Sequence, residues 1–342
     1  MRLSFCLLDW DCREDPRPTF QIGAAAHRHE VLWINLGARP LDANRAPANL
    51  RTFVQGHNCR GGHYHKHQGY NFALKVMTGD ILVIHDSDAC VHPQLWRGIA
   101  QSFHKNSSKV VYAYQKRSYQ EAPKGRAVGQ TDLARFEPYP TQRNYGATMA
   151  ITRENAIRLG GFDESEDYRG YICGPYELGW RALSAGLQEE WLSPELCSYH
   201  YAHPNPNERG RGGEISGPHF HFHAVRALEN LLDGRVQPHK PAPEILTLGK
   251  KYGWKLFPER NGRKISPSLP RLSPYLTRLL ADYARSSRGR KWAARLARDP
   301  QFAPYDISPR SVMLARIIRE ARRIFLKMGK IWLKKSKRPV FA

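Results

Sequence analysis

No run in the 342-residue chain approaches the ~20 consecutive apolar residues of a membrane-spanning helix, so a conventional transmembrane span is not expected. The opening stretch from Met1 meets Asp9 before an apolar core of signal-peptide length can form, and the expectation is a cytoplasmic protein. Cysteine is sparse: six residues, at 6, 12, 59, 90, 173 and 197, dispersed and without a CxxC pair. That spacing argues against a disulfide framework and for reduced thiols in a reducing compartment. No HExxH helix is present to hold a hydrolytic zinc, and no internal repeat is visible.

Acidic residues are scarce in one part only. Residues 1–235 hold 27 Lys+Arg against 25 Asp+Glu, a net of +2, whereas residues 236–342 hold 26 against 6, a net of +20. The overall charge of +22 therefore belongs almost wholly to the last third. With 41% hydrophobic and 25% charged residues the chain has globular composition. The expected organisation is a near-neutral domain over 1–235 and a basic, mainly helical extension over 236–342, entered through Pro238, Pro241 and Pro243. Such asymmetry points to an anionic partner for the extension.

Within the body, short apolar runs alternate with helical spacing. Leu3–Leu8, Glu30–Asn35, Leu50–Val54 and Ile81–Ile84 read as strands, and Gln68–Met77 and Pro93–Phe103 as helices. Lys109–Tyr114 and Tyr145–Thr152 are further strands; 153–159 and 176–186 are further helices, each closed by glycine. Residues 115–145 and 204–220 read as loops. This order predicts an α/β fold with a largely parallel sheet.

The chemistry centres on Asp86-Ser87-Asp88, where an apolar strand ends. Two carboxylates at i and i+2 after a strand can face one pocket, and their oxygens suit a hard divalent cation, Mn²⁺ or Mg²⁺. The end of a strand is also where ligands bind in open α/β sheets. Taken alone, the same tripeptide also reads as a solvated surface turn.

Three segments in order remove that ambiguity. Asn71 through Asp88, Leu159-Gly160-Gly161-Phe162-Asp163-Glu164, and Tyr176-Glu177-Leu178-Gly179-Trp180-Arg181 with its closing Gly186 resemble the core motifs of family 2 glycosyltransferases with the GT-A fold. The resemblance covers about residues 65–190. It implies a mixed sheet flanked by helices, a nucleotide-sugar donor, and a glycan or glycolipid acceptor. Asp86 and Asp88 then become candidate metal ligands, with Asp86, Asn71 and Arg181 as candidate substrate contacts. Arg181 pairs either with phosphate or, equally, with a carboxylate. In several GT-A enzymes a late histidine completes the metal shell; His203 and then His200 are the candidates here. Inversion at the transferred sugar is likewise implied by the resemblance.

Two departures stand out. Many relatives carry a Glu-Asp pair before the third motif, its aspartate serving as catalytic base; this sequence has Gly174-Pro175. Asp163 and, behind it, Glu177 are the remaining candidate bases. The usual opening loop and long first helix are also not recognisable, leaving Asp9 and Asp11 as candidate contacts to the nucleotide base. His63, His65 and His67 alternate and read as a polar surface before a helix rather than a zinc site.

From Leu314 to Trp332, apolar residues recur at three, four and seven spacing, interleaved with Arg316, Arg319, Arg322, Arg323, Lys327 and Lys330; the only acid is Glu320. This is the pattern of a helix lying in an anionic membrane interface. Nucleic acid is disfavoured as a partner. The rival reading of the whole chain is a non-catalytic binding protein for nucleic acid or acidic polymer, with a degenerate transferase body. Deleting residues 311–342 removes 10 Lys+Arg against one acid. The truncated protein is expected to lose binding to anionic liposomes, in a sedimentation assay, while keeping turnover of a soluble acceptor. Binding of the full chain should weaken as salt shortens the Debye length from about 10 Å to about 3 Å. Unfolding of the truncated protein would instead mark the helix as a docked structural element.

Overall fold

The computed structural model describes residues 1–11, 15–42, 44, 46–59, 64–118, 121, 136–138, 146–164, 175–202 and 240–257, apart from the side chains of Tyr176, Trp180 and Ser184. All lie in one compact unit, Met1–Ser266. His63, Gly174, His203 and the 204–220 and 311–335 segments lie outside the described residues.

Four parallel strands form one half of the main sheet: β1 (Leu3–Asp9), β2 (Glu30–Asn35), β3 (Leu50–Val54) and β4 (Ile81–His85). β1, β2 and β4 are buried at every position, the condition of parallel strands covered on both faces, and this is why they read as unbroken apolar runs. β3, at the edge, is half-exposed. The helices α1 (Arg17–Ala25), α2 (Lys66–Val76) and α3 (Leu95–Lys105) accompany these strands. Phe5, Leu7, Trp33 and Val83 share one core with Ile22 of α1 and Ile99 and Phe103 of α3.

The second half contains β6 (Lys109–Tyr112), β9 (Thr148–Thr152) and β10 (Gln188–Trp191). β9 runs antiparallel between β4 and β6, giving the order β10-β6-β9-β4-β1-β2-β3. The sheet is therefore mixed, as the resemblance implied, with its parallel run confined to two groups.

A small second sheet has the order β5-β11-β7-β8, built from β5 (Ala89–Val91), β7 (Gln115–Arg117), β8 (Glu137–Pro138) and β11 (Ser198–His200). Its registry sets His200 opposite Ala89, directly after Asp88. None of the three-residue strands carries enough periodicity to be read from sequence. α1 was also hidden: Pro16 and Pro18 flank Arg17, yet proline is well tolerated in a first helical turn.

Three further helices follow. α4 (Arg153–Arg158) is capped by the Thr152 hydroxyl, which accepts from the Asn155 N–H at 3.2 Å. α5 spans Pro175–Ser184 and α6 spans Pro243–Tyr252. α6 packs on α2 and α4, with Ile245 fully buried. Arg153 lies over the Tyr252 ring, Arg158 over Phe257, and the Phe257 N–H donates to the Arg158 carbonyl at 2.7 Å. Composition groups residues 240–257 with the basic extension; in the fold they cover the body. Among the described residues no helix is long and apolar enough to cross a membrane.

Candidate active site

β4 delivers its last residue, His85, to the sheet edge, and Asp86-Ser87-Asp88 turns the chain into β5. The turn is tied down on three sides. The Asp86 N–H donates to the Ala147 carbonyl at 3.1 Å, the Ala89 N–H to the Asp86 carbonyl at 3.2 Å, and the Ser87 hydroxyl to the Leu8 carbonyl at 2.7 Å. Ser87 thereby fastens the ends of β1 and β4 together. The Asp88 side chain stays 48% exposed, and its Oδ1 lies 3.6 Å from His200 Nε2. That is too long for a direct hydrogen bond. Asp88 and His200 bring one carboxylate and one imidazole together, an oxygen–nitrogen pair compatible with Mn²⁺ or Mg²⁺. No trio of His, Cys, Asp or Glu gathers closely enough to hold an ion by itself among the described residues. An ion held here would need further ligands beyond this pair.

At the end of β1, Asp9 is buried and accepts from the Trp10 N–H at 2.8 Å. Asp11 sits in the left-handed region at φ 63°. Its carboxylate accepts from Asn35 Nδ2 at 2.6 Å and from the Ala38 and Arg39 amides at 3.0 and 2.8 Å. Burial pushes its pKa up, but these donors outweigh it and hold the group below the usual carboxylate range. A Cβ on Gly37 would lie 2.2 Å from that carboxylate, which explains the glycine. Asp11 thus braces the 35–39 loop. Beside it Trp10 stacks on Tyr64, with centroids 4.7 Å apart, and Lys66 Nζ lies 4.9 Å over the Trp10 ring.

The Gly-Gly-Phe-Asp-Glu turn is held by its backbone. Gly160 and Gly161 have φ of 88° and 71°, and a Cβ on Gly161 would lie 2.5 Å from Asn71 Oδ1. Buried Asn71 of α2 accepts from the Phe162 N–H at 2.8 Å and donates to the Phe162 carbonyl at 2.9 Å and to Glu164 Oε1 at 2.6 Å. One turn earlier, His67 Nδ1–H donates to the Asp163 carbonyl. A carbonyl only accepts, so this contact fixes the tautomer. Burial, reinforced by His65, pushes the His67 pKa down to about 3. From α5, Arg181 reaches the Leu159 and Gly161 carbonyls and holds the Glu177 carboxylate, one contact being 2.9 Å. Both partners are buried, at 1% and 4% exposure. In the structure Arg181 is paired with the Glu177 carboxylate. Asp163 is 8% exposed. Burial, with Glu244 and Asp163 nearby, raises the Glu164 pKa despite Asn71.

Tyr70 joins the two halves. Its ring lies 4.9 Å from Phe162, and burial first, then Cys6 and Asp86, raises its pKa well above the ordinary value. Tyr70 thus packs on the Gly-Gly-Phe-Asp-Glu turn, with the Asp86 carboxylate near enough to act on its hydroxyl. His67 belongs to the histidine run that sequence reading assigns to a polar surface; it is fully buried instead, because its polar atom has a backbone carbonyl to serve.

Residues 59–160 match the family model of glycosyl transferase family 2. No curated protein sequence matches the chain. Among solved structures, the chain is similar to TarS 1-349 of S. aureus in complex with UDP-GlcNAc, with 14% identity over 94% of this chain and 92% of that one and a TM-score of 0.49. It is similar to GalNAc-T7 with UDP, GalNAc and Mn²⁺, at 12% identity, 75% and 56% coverage and a TM-score of 0.46. A third is glucosyl-3-phosphoglycerate synthase from Mycobacterium tuberculosis in complex with Mn²⁺, UDP and phosphoglyceric acid, at 15%, 63% and 80%, and 0.41. The chain spans just over half of the GalNAc-T7 structure and of the longer TarS structure, 56% and 55%. The family match contains Asn71, Tyr70 and the Asp86–Asp88 turn and ends at Gly160. Over residues 59–160 the chain is thus similar to glycosyl transferase family 2.

The depressed His67 pKa has a stability consequence. Above the ordinary value of 6.5 both folded and unfolded chains carry a neutral ring; as pH falls toward 3, the unfolded chain takes up a proton that the folded one refuses. Stability is therefore lost on acidification across that window. His67→Gln keeps a donor for Asp163 and does not titrate. Urea midpoints at pH 7 and 4.5 should show the variant losing less stability than the parent, by about 2 kcal/mol. Equal losses would place the proton elsewhere.

Proposed function

We propose that this chain is a family 2-like glycosyltransferase that moves a sugar from a nucleotide-diphosphate donor to a glycan or glycolipid acceptor, with inversion and with a divalent ion, Mn²⁺ or Mg²⁺. The observation that carries the proposal is the pairing of Asp88 with His200 at 3.6 Å on the rim of β4, across Tyr70 from a rigidly held acidic turn. Asp86, Asp88 and His200 are the residues that would hold the ion, with His203 the further candidate from the adjoining segment. The ion supplies charge neutralisation for the departing nucleoside diphosphate. Asp9 and Asp11 flank the nucleotide side through the loops they brace.

Asp163 takes the base role. Its main chain is fixed by His67 and by the Asn71 clasp on Phe162, so its carboxylate has a set position from which to accept the acceptor hydroxyl proton. The acceptor oxygen then attacks the anomeric carbon opposite the leaving diphosphate. Glu177, Arg181 and Asn71 act on the turn's shape. For the extension, the 311–335 pattern supports peripheral attachment to the inner face of an anionic membrane, each cation near such a surface contributing about 1 kcal/mol.

A donor panel with Mn²⁺, scored by released nucleoside diphosphate, tests the reading; release from no donor would favour a binding protein instead. Asp88→Ala should abolish Mn²⁺-dependent nucleotide binding by calorimetry with the unfolding midpoint unchanged. Unaltered affinity would remove Asp88 from the site.

Asp163→Asn should cut turnover by about 10² to 10⁴ with donor binding kept. Glu177→Gln should behave differently. It leaves the buried Arg181 charge uncompensated, so the expected result is a stability loss of about 3–5 kcal/mol in chemical denaturation. A Glu177→Gln protein of parental stability but without turnover would transfer the base role to Glu177.

A further inference from the structure

His85 closes β4, and it is a buried polar residue at the end of four apolar ones. Its ring spans the acidic turn: Nε2 lies 3.1 Å from the Ala89 carbonyl, four residues on, and Nδ1 lies 2.7 Å from the Thr148 hydroxyl. Because a carbonyl only accepts, Nε2 carries the hydrogen. Nδ1 then presents a lone pair, and the Thr148 hydroxyl donates to it. Thr148 is the registry partner of His85 across the β4–β9 pair, so the ring's orientation is fixed by the main sheet.

Ala89 has a second tie. It is the registry partner of His200 in the small sheet. The imidazole of His85 therefore joins the main sheet to the strand pair that carries His200, and it spans Asp86-Ser87-Asp88 while doing so. Of the turn's other anchors, Ser87 on Leu8 and Asp86 on Ala147 hold its first half, and the Ala89 N–H closes it on the Asp86 carbonyl. His85 supplies the side-chain anchor beyond Asp88, on the Ala89 carbonyl.

We infer that His85 is a positioning residue for the proposed ion site, setting the separation of Asp88 and His200 through the Ala89 carbonyl. The inference rests on the metal-dependent reading above. It requires no change of protonation, only a ring that donates at one nitrogen and accepts at the other. Residues that orient ligands in this indirect way typically alter metal affinity by 10- to 100-fold when removed.

The test uses the full chain and Mn²⁺, alone and with UDP, with free Mn²⁺ counted by electron paramagnetic resonance. His85→Ala is expected to weaken Mn²⁺ binding about tenfold. His85→Gln, which again offers one donor and one acceptor, should recover most of it. Thr148→Val, which removes only the hydroxyl, should shift binding in the same direction by less, and it carries the test if His85→Ala fails to fold. In metal-free protein, amide hydrogen exchange at Asp88 and Ala89 should quicken in His85→Ala while the interior of β4 stays protected. Parental Mn²⁺ affinity together with unchanged exchange would overturn the inference. So would equal losses in the Ala and Gln variants. If the parent protein takes up no Mn²⁺ either alone or with UDP present, the metal-dependent reading fails on its own. The exchange measurement then still decides whether His85 holds the turn.

Discussion

The guanidinium of Arg181 is the constraint on which the Gly160–Glu164 turn hangs. It is 1% exposed, and a charge removed from water to that degree costs several kcal/mol unless it is paired and fully hydrogen-bonded. The fold supplies the Glu177 carboxylate one helical turn away and the carbonyls of Leu159 and Gly161. A planar fork can serve carboxylate and carbonyls at once; a lysine, with one compact charge, would leave part of the set unserved. α5 is in this way locked to the end of α4. The Gly160-Gly161 turn, which has no side chains to anchor it, is held by its carbonyls instead.

From that lock the rest of the turn follows by contact. Asn71 grips Phe162 from both its N–H and its carbonyl, His67 grips Asp163, and Ile245 of α6 closes over Gly161. Three buried polar side chains on two helices thus read a short stretch of main chain rather than one another. Such a network tolerates few exchanges, because each member satisfies a buried group that has no water to turn to. It explains why the positive φ at Gly161 and the amide at Asn71 belong together: a Cβ at one would collide with the oxygen of the other.

The parts legible in the sequence were those whose signal is local. β1, β2 and β4 announce themselves as unbroken apolar runs because both faces are covered, and the end of β4 announces Asp86-Ser87-Asp88. The Gly-Gly pair marks a turn. What was not legible depends on partners distant in sequence. β5, β7 and β11 are three residues each, too short for a period, yet their pairing is what brings His200 to Asp88. The alternating histidines before α2 read as surface, but His67 turns inward because a carbonyl 96 residues away awaits it. α1 was obscured by prolines that a first turn accepts. Arg181 was readable as a charge on a helix, while its commitment to Glu177 and two carbonyls needed the packing of α4 beneath it.

The replacement of an acid pair by Gly174-Pro175 can be understood in the same terms. Pro175 opens α5, where its missing N–H costs nothing and its fixed φ suits a helix start. Glu177 then stands in the first turn, where a carboxylate complements the helix dipole and lies one turn from Arg181. The stretch that carries an acid pair in many relatives is here given over to starting and locking a helix. On the proposed reading, the carboxylate that acts on this side comes from another element. Asp163 stands on the turn that the helix locks, with its main chain fixed from α2 and its neighbours fixed from α5. Rigidity supplied by Glu177 and reactivity assigned to Asp163 are in this sense two halves of one arrangement. The first must be in place for the second to hold a fixed position.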